Sequence, residues 1–220
     1  LLCPGAAPES DSMILIGQYD SPFVRRVGIT LRLYELPFEH KPWSVFGDVE
    51  KIRPYNPLLR VPTLVLEDGT ALIDSASILD YLDGQVPAAR ALFPRQEPAR
   101  HRALRVAALA TGMAEKAVSL FYELRFHEQR SDLWVSRCRA QIDAVLQVLE
   151  DERALHTGAW WFGPQLCHAD IAVGVVLRFI ADAHPGLIDK TAYPALSDLA
   201  ARFEALPVAR EISQAFTPSA

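Results

Sequence analysis

"RVPTLVLEDGTALIDSASILDYLDG", residues 60–84, is the stretch that decides the fold. Apolar runs on both sides of the turn signal "EDG" predict a β-hairpin over residues 62–73. The segment that follows has Ser75 as a helix cap, apolar residues at helical spacing and Gly84 as a stop. The stretch therefore predicts two antiparallel strands followed by a helix.

The residues before this hairpin alternate between strand-like and helix-like patterns. "ILIG" (residues 14–17) suits a buried strand, and residues 24–36 place apolar side chains on one helical face. "FEHKPW" (38–43) predicts a second strand near a sheet edge, because Pro42 donates no ladder hydrogen bond. Residues 44–55 predict a loop with a short helix. The predicted order is β-α-β-(α)-β-β-α.

The pattern of the sequence changes near its middle, which predicts two domains. Residues 13–84 are predicted to form the first, and residues 85–99, rich in Pro and Ala without a sustained period, are predicted to be a linker. Long helical patterns fill residues 100–220, and "ADIAVGVVLRFIADA" (169–183) is apolar nearly all round, as in a helix at the centre of a bundle. Residues 1–12 precede Met13 and are expected to lie outside the fold.

Composition and charge exclude several classes of function. Half of the 220 residues are apolar and 22% are charged, which is typical of a soluble globular protein. A formal net charge of −5 lacks the basic surface that nucleic-acid binding usually needs. No apolar stretch approaches the roughly 20 residues of a membrane-spanning helix, and no signal peptide is recognisable. We expect a cytoplasmic protein that binds neither nucleic acid nor membrane.

Ser21 is the candidate reactive position in "QYDSPFVRRV", residues 18–27. Proline is favoured at the first helical position, so Pro22 predicts Ser21 as an N-cap. The hydroxyl can cap the helix with its own oxygen, which local sequence alone favours. It can also donate a hydrogen bond to an anion held at the positive end of the helix dipole.

Five segments together resemble the glutathione S-transferase family, in its serine-type, bacterial-like cytosolic form. They are "SPFVRRV" (21–27), "NPLLRVPTLV" (56–65), "DSASILDYL" (74–82), "CHADIAVG" (167–174) and "YPALSDLAARFEALP" (193–207). The resemblance implies an α/β thioredoxin-like βαβαββα domain followed by an all-helical bundle. It also implies detoxifying conjugation of glutathione to a small hydrophobic electrophile, a homodimer, and no metal.

The resemblance also implies roles for individual residues. Ser21 would stabilise the glutathione thiolate, and the cis-proline loop would pair the backbone of Val61 with the peptide. Ser75 would hold the γ-glutamyl carboxylate, with Asp74 near the ammonium group. The residues assigned to glutathione binding are Phe23, Arg60, Val61, Pro62, Asp74 and Ser75.

Alternatives remain open at several of these positions. Tyr19 is a rival thiolate donor, because other classes of the family use a tyrosine near the end of the first strand. Arg60 could bind the glycyl carboxylate or be a solvated surface residue. The chain could instead be a glutathione-dependent isomerase or dehalogenase, or a non-catalytic interaction protein with the same fold.

The sequence of the second domain predicts functional residues less clearly. In "CHADIAV", Cys167 stands where the family generally has Ser or Thr, three residues before Asp170, so we assign Asp170 to folding. Three cysteines without CxxC spacing predict buried thiols, and His168 has no companion ligand for a metal. A stripe on the first long helix could line the electrophile pocket or belong to the bundle core: Met113, Lys116, Ala117 and Leu120.

Overall fold

The computed structural model describes residues 12–217, so the predicted extension 1–12 lies outside the described residues except for Ser12. The first elements are β1 (Met13–Ile16), α1 (Pro22–Leu33), β2 (Phe38–Lys41), α2 (Val49–Ile52), β3 (Thr63–Val65), β4 (Ala71–Ile73) and α3 (Ser75–Gly84). The helices that follow are α4 (Ala99–Phe126), α5 (Asp132–Ala154), α6 (His168–Ala183), α7 (Pro194–Glu204) and α8 (Pro207–Glu211). The predicted βαβαββα order followed by helices is confirmed.

The four strands form one mixed sheet in the order β2-β1-β3-β4. β1 runs parallel to β2 and antiparallel to β3, which pairs with β4 as the predicted hairpin. β2 lies at the edge, as Pro42 predicted. The register pairs Ile16 at the end of β1 with Thr63 at the start of β3. The loop that carries Ser21 and the loop before β3 therefore leave the sheet side by side.

The chain divides into two compact units, and the division differs from the predicted domain boundaries. The first unit contains the described residues up to Ala91 together with residues 207–217, and the second is Leu92–Leu206. Residues 207–217 join the first unit because the guanidinium of Arg25 donates hydrogen bonds of 2.8 Å to the carbonyls of Ala209 and Ile212. Arg25 thus binds residues 207–217 to the first unit, although we expected this segment in the helical domain.

The second unit is built around α6. Twelve of its sixteen residues are buried, as the apolar pattern of residues 169–183 predicted. Gly174 allows a close approach of α7, because a Cβ atom there would lie 2.3 Å from Cδ1 of Phe203. None of the helices within residues 12–217 is long and apolar enough to cross a membrane.

Candidate active site

Ser21 occupies the N-cap of α1, as predicted. Its backbone is extended, its Oγ accepts a hydrogen bond of 3.4 Å from the backbone N–H of Val24, and Pro22 is the first helical residue. The first turn of α1 contains no acidic residue. A hydroxyl that accepts one hydrogen bond still has its own proton to donate. Capping and donation to an anion at the helix end are therefore compatible.

Gly17 holds the loop before Ser21 close to two other parts of the site. Its φ angle is +127°, which favours glycine. A Cβ atom at this position would lie 2.5 Å from Cγ2 of Val24 and 2.7 Å from Cβ of Val61. The structure thus brings α1 and the loop before β3 together at Gly17. This role of Gly17 was not predicted from the sequence, although the glycine directly after "ILI" was a signal.

The Val61–Pro62 peptide bond is cis, as the resemblance implied. Asn56, only 1% exposed, shapes the loop before it. Its Nδ2 donates to the carbonyl of Arg60 at 2.8 Å and to Oγ1 of Thr63 at 3.1 Å, while its Oδ1 accepts from the backbone N–H of Leu58 at 3.0 Å. Asn56 was missed because a buried loop asparagine has no periodic pattern.

The N-terminus of α3 corrects one expectation. Asp74, not Ser75, is the N-cap: its Oδ1 accepts a hydrogen bond of 2.7 Å from the backbone N–H of Ala76. Ser75 is the first residue of the helix, and its buried Oγ accepts from Nη1 of Arg26 at 3.5 Å. An aspartate satisfies the helix end as well as a serine does, so the Ser75 hydroxyl is released from capping.

The remaining predicted site residues differ in their exposure. Phe23 lies in the first turn of α1 and is half-buried. Arg60 is exposed, while its carbonyl is held by Asn56. Pro62 is buried and Val61 is half-buried. Of the predicted set, Ser75 is joined to α1 by its hydrogen bond with Arg26, and Val61 lies close to Gly17.

Tyr19 packs inside the first unit. Its ring stacks on that of His40, with centroids 3.9 Å apart and an angle of 11°. Burial raises the pKa of Tyr19 to about 12, and the charges that also act on it are those of Arg32 and Glu211. Arg32 lies in the last turn of α1, roughly 15 Å along the helix axis from Ser21. The Tyr19 hydroxyl is thus under the influence of charges at the opposite end of α1.

Asp170 has the structural role that we expected. Both of its oxygens accept backbone hydrogen bonds, from Trp161 at 2.7 Å and from Cys167 at 2.9 Å. The Cys167 thiol donates to the same carboxylate at 3.1 Å, so the cysteine substitutes for the usual hydroxyl in the capping box. Burial, followed by the Asp170 charge, raises the pKa of this thiol.

The other candidates in the second unit have structural surroundings. His168 packs its ring on Phe93, with centroids 4.5 Å apart. Within residues 12–217, no group of three or more His, Cys, Asp or Glu residues could hold a metal ion. Cys138 and Cys167 are buried free thiols, as expected, whereas Cys3 lies outside the described residues. Met113, Ala117 and Leu120 are buried, as the bundle-core alternative expects.

Comparison with known proteins identifies the family of this chain. The glutathione S-transferase N-terminal domain model matches residues 15–90, and the C-terminal domain model matches residues 132–202. The uncharacterized GST-like protein YibF of Escherichia coli (strain K12) is 34% identical over 139 residues, which are 63% of this chain and 68% of that protein. The chain belongs to the glutathione S-transferase family.

Two further similarities span most of the chain. A probable maleylacetoacetate isomerase 2 of Drosophila melanogaster is 24% identical over 214 residues, which are 95% of this chain and 91% of that protein. The crystal structure of a glutathione S-transferase from Methylobacillus flagellatus KT with GSH bound has a TM-score of 0.84 and 26% identity. It aligns over 92% of this chain and 99% of its own.

Proposed function

We propose that this protein is a glutathione transferase that activates the thiol of glutathione at Ser21. The observation that carries the proposal is the N-terminus of α1, where the Ser21 hydroxyl accepts from Val24 and keeps its proton for an incoming anion. The similarity to a structure that contains bound glutathione supports the choice of ligand. The fit of Tyr19 between His40 and α1 supports Ser21 over Tyr19 as the donor.

Ser21 needs only to lower the pKa of the glutathione thiol by a small amount. A free thiol has a pKa near 8.5 and is mostly protonated at neutral pH, whereas the thiolate is the nucleophile. A hydrogen bond to a charged group contributes about 1.5–3 kcal/mol, and each pKa unit corresponds to about 1.4 kcal/mol. One hydroxyl donor therefore lowers the thiol pKa by roughly one to two units. The dipole of α1 acts in the same direction.

The other residues hold the peptide. The backbone of Val61, turned by the bond to Pro62, pairs with the cysteinyl unit of glutathione, and Phe23 borders the thiol. Ser75 and the N-terminus of α3 bind the γ-glutamyl carboxylate. Asp74 faces the ammonium group, and Arg60 binds the glycyl carboxylate. The thiolate sulfur then attacks an electrophilic carbon of a small hydrophobic substrate, forming a C–S bond and expelling a leaving group.

Glutathione-dependent isomerisation is the second candidate. It is favoured by the match of 95% of this chain to a protein named as a probable maleylacetoacetate isomerase. Both reactions begin with the thiolate of glutathione, so the glutathione site proposed in the first unit suits either reaction. The two activities are distinguished by measuring turnover of aryl halides, which report conjugation, and of unsaturated diketo acids, which report isomerisation. A homodimeric, cytoplasmic enzyme is part of the same proposal and rests on the family resemblance.

The test is the ultraviolet difference spectrum of glutathione bound to wild type, Ser21→Ala and Tyr19→Phe across a pH series. We expect thiolate absorbance below the pKa of the free thiol in wild type and Tyr19→Phe, and its loss in Ser21→Ala. Loss only in Tyr19→Phe would move the catalytic role to Tyr19. Saturable binding without thiolate in wild type would contradict thiol activation. A wild type that binds no glutathione would favour the interaction-protein alternative.

A further inference from the structure

Arg25 and Arg26 are adjacent buried arginines of α1 with different surroundings. Successive residues of a helix point about 100° apart, so the two side chains leave α1 in different directions. Arg25 donates to the carbonyls of Ala209 and Ile212 and holds the last segment of the first unit. Arg26 instead extends toward the N-terminus of α3.

The guanidinium of Arg26 is buried with few partners. The residue is 3% exposed, and its Nη1 donates to Oγ of Ser75 at 3.5 Å. Its Nε is buried and has no hydrogen-bond partner among residues 12–217. Burial lowers the pKa of Arg26 to about 10, and the charge of Asp74 partly opposes this shift. A buried cation without a hydrogen-bonded carboxylate is costly, which indicates a second function for the charge.

The end of α3 that Arg26 reaches is suited to an anion. This helix has ten residues and no acidic residue in its first turn. Oδ1 of Asp74 accepts a hydrogen bond from the backbone N–H of Ala76. Ser75, 5% exposed, accepts from Arg26, and a hydroxyl that accepts from a cation directs its own proton elsewhere. That proton is then available to an acceptor at the helix end.

We propose that Arg26 is a positioning residue that makes the site selective for a ligand with a free carboxylate at its γ-glutamyl end. It orients the Ser75 hydroxyl as a donor to this carboxylate and supplies the positive charge behind it. The inference rests on the proposed function, because it takes glutathione as the peptide bound in the first unit. It concerns which peptide is bound, and it is independent of thiol activation at Ser21.

The test compares two ligands whose thiols are blocked, so that thiolate formation does not contribute. One is S-methylglutathione, and the other is its analogue in which 4-aminobutyrate replaces the γ-glutamyl unit and removes only the α-carboxylate. Calorimetry gives the dissociation constant of each ligand for wild type, Arg26→Gln, Arg26→Lys and, as a matched control, Arg25→Gln. The ratio of the two constants measures recognition of the carboxylate.

We expect wild type to bind S-methylglutathione at least about tenfold more tightly than the analogue, since charge-assisted hydrogen bonds are the strong ones. Arg26→Gln should reduce this ratio about tenfold while changing the affinity for the analogue less than about threefold. Arg25→Gln should leave the ratio unchanged, because its contacts are with the C-terminal segment.

An unchanged ratio in Arg26→Gln, or an equal loss for both ligands, would overturn the role of Arg26. If Arg26→Gln does not fold, Arg26→Lys decides: it keeps the charge but lacks the forked guanidinium, and we expect a ratio reduced by at least about threefold. A wild-type ratio in Arg26→Lys would overturn orientation of Ser75. If wild type binds neither ligand, the glutathione site itself is wrong, and this role is wrong with it.

Discussion

The helix N-termini of the two units are completed in different ways. In the helical unit, carboxylates of the chain occupy the ends of α6 and α7. Asp170 accepts from the backbone N–H groups of Trp161 and Cys167, and Glu150 accepts from those of Ala195 and Leu196. In the first unit, neither α1 nor α3 has an acidic residue in its first turn, and the one carboxylate at these helix ends is that of Asp74, which caps α3 by accepting from the backbone N–H of Ala76.

We interpret this difference as one between helix ends that stabilise the fold and helix ends that are available to a ligand. A carboxylate at a helix N-terminus stabilises the fold but also neutralises the positive end of the dipole. The first unit caps α1 with an uncharged oxygen of Ser21, and it places the cation of Arg26 beside the start of α3. The end of α1 is therefore suited to an anion of a ligand, and at the start of α3 the cation of Arg26 offsets the charge of the Asp74 cap. At α6 and α7, by contrast, the helix ends bind carboxylates of the chain itself.

The largest expected effect on stability is that of Asp170→Ala. The side chain is 0% exposed, and its removal deprives two backbone N–H groups of their acceptor. The free energy of unfolding should fall by about 3 kcal/mol or more, measured by urea denaturation. Asp182→Ala in the same helix removes a pair with Arg178 at the surface and should cost under about 1 kcal/mol. Equal losses in both variants would contradict the comparison.

Glu150→Ala should have the next largest effect. Both carboxylate oxygens accept from the start of α7, at 2.8 Å and 2.9 Å, although Glu150 belongs to α5. We expect a loss of about 2 kcal/mol by the same measurement. Asp151→Ala changes an exposed neighbour and should cost less than about 0.5 kcal/mol. If Glu150→Ala matches this control, α7 does not depend on a carboxylate from another helix.

Asp74 tests the cap of α3 with a smaller effect. Asp74→Ala removes the acceptor for the Ala76 N–H and should cost about 1 kcal/mol. Asp74→Asn keeps a good cap, so its stability should stay within a few tenths of a kcal/mol of wild type. Both variants should bind glutathione a few-fold more weakly, because the carboxylate near the ammonium group is gone. Full affinity in Asp74→Asn would contradict the role proposed for its charge.

Tyr19→Phe should have the smallest effect at neutral pH and a specific effect in alkali. The pKa of Tyr19 is raised from 10.0 to about 12, mainly by burial. The stability linked to this raised pKa is complete below pH 10 and is lost as the pH rises toward 12. The variant lacks this titration, so its stability relative to wild type should rise between pH 10 and pH 12. A constant difference would show that Tyr19 titrates normally in the folded protein.

Local signals predicted most of the fold. "EDG" predicted the β3–β4 hairpin, Pro42 predicted the edge position of β2, and the apolar pattern of residues 169–183 predicted the buried α6. The position of residues 207–217 was not predictable in this way. It depends on Arg25, whose hydrogen bonds join residues 184 and 187 positions apart. No local pattern encodes such a contact.

In the candidate site, too, some features follow from the local sequence and others depend on contacts between distant residues. Ser21 before Pro22 was recognisable as a cap, which is a local feature, whereas the cis bond of Val61–Pro62 was implied by the family resemblance and not by the local sequence. Arg26 was not recognised, because "RR" within a helix resembles a solvated face until the fold shows that the side chain is buried. The shift of the cap from Ser75 to Asp74 was also missed, since adjacent Asp and Ser are both good caps. Tertiary packing decided each of these cases.

The most direct test of the contrast between the two units is a crystal structure of this protein with glutathione. We predict that the sulfur lies within hydrogen-bond distance of the Ser21 hydroxyl, and that the γ-glutamyl carboxylate lies at the N-terminus of α3 against Ser75. A sulfur placed at the Tyr19 hydroxyl, or a carboxylate bound away from α3, would contradict the claim that these two helix ends receive the ligand's anions.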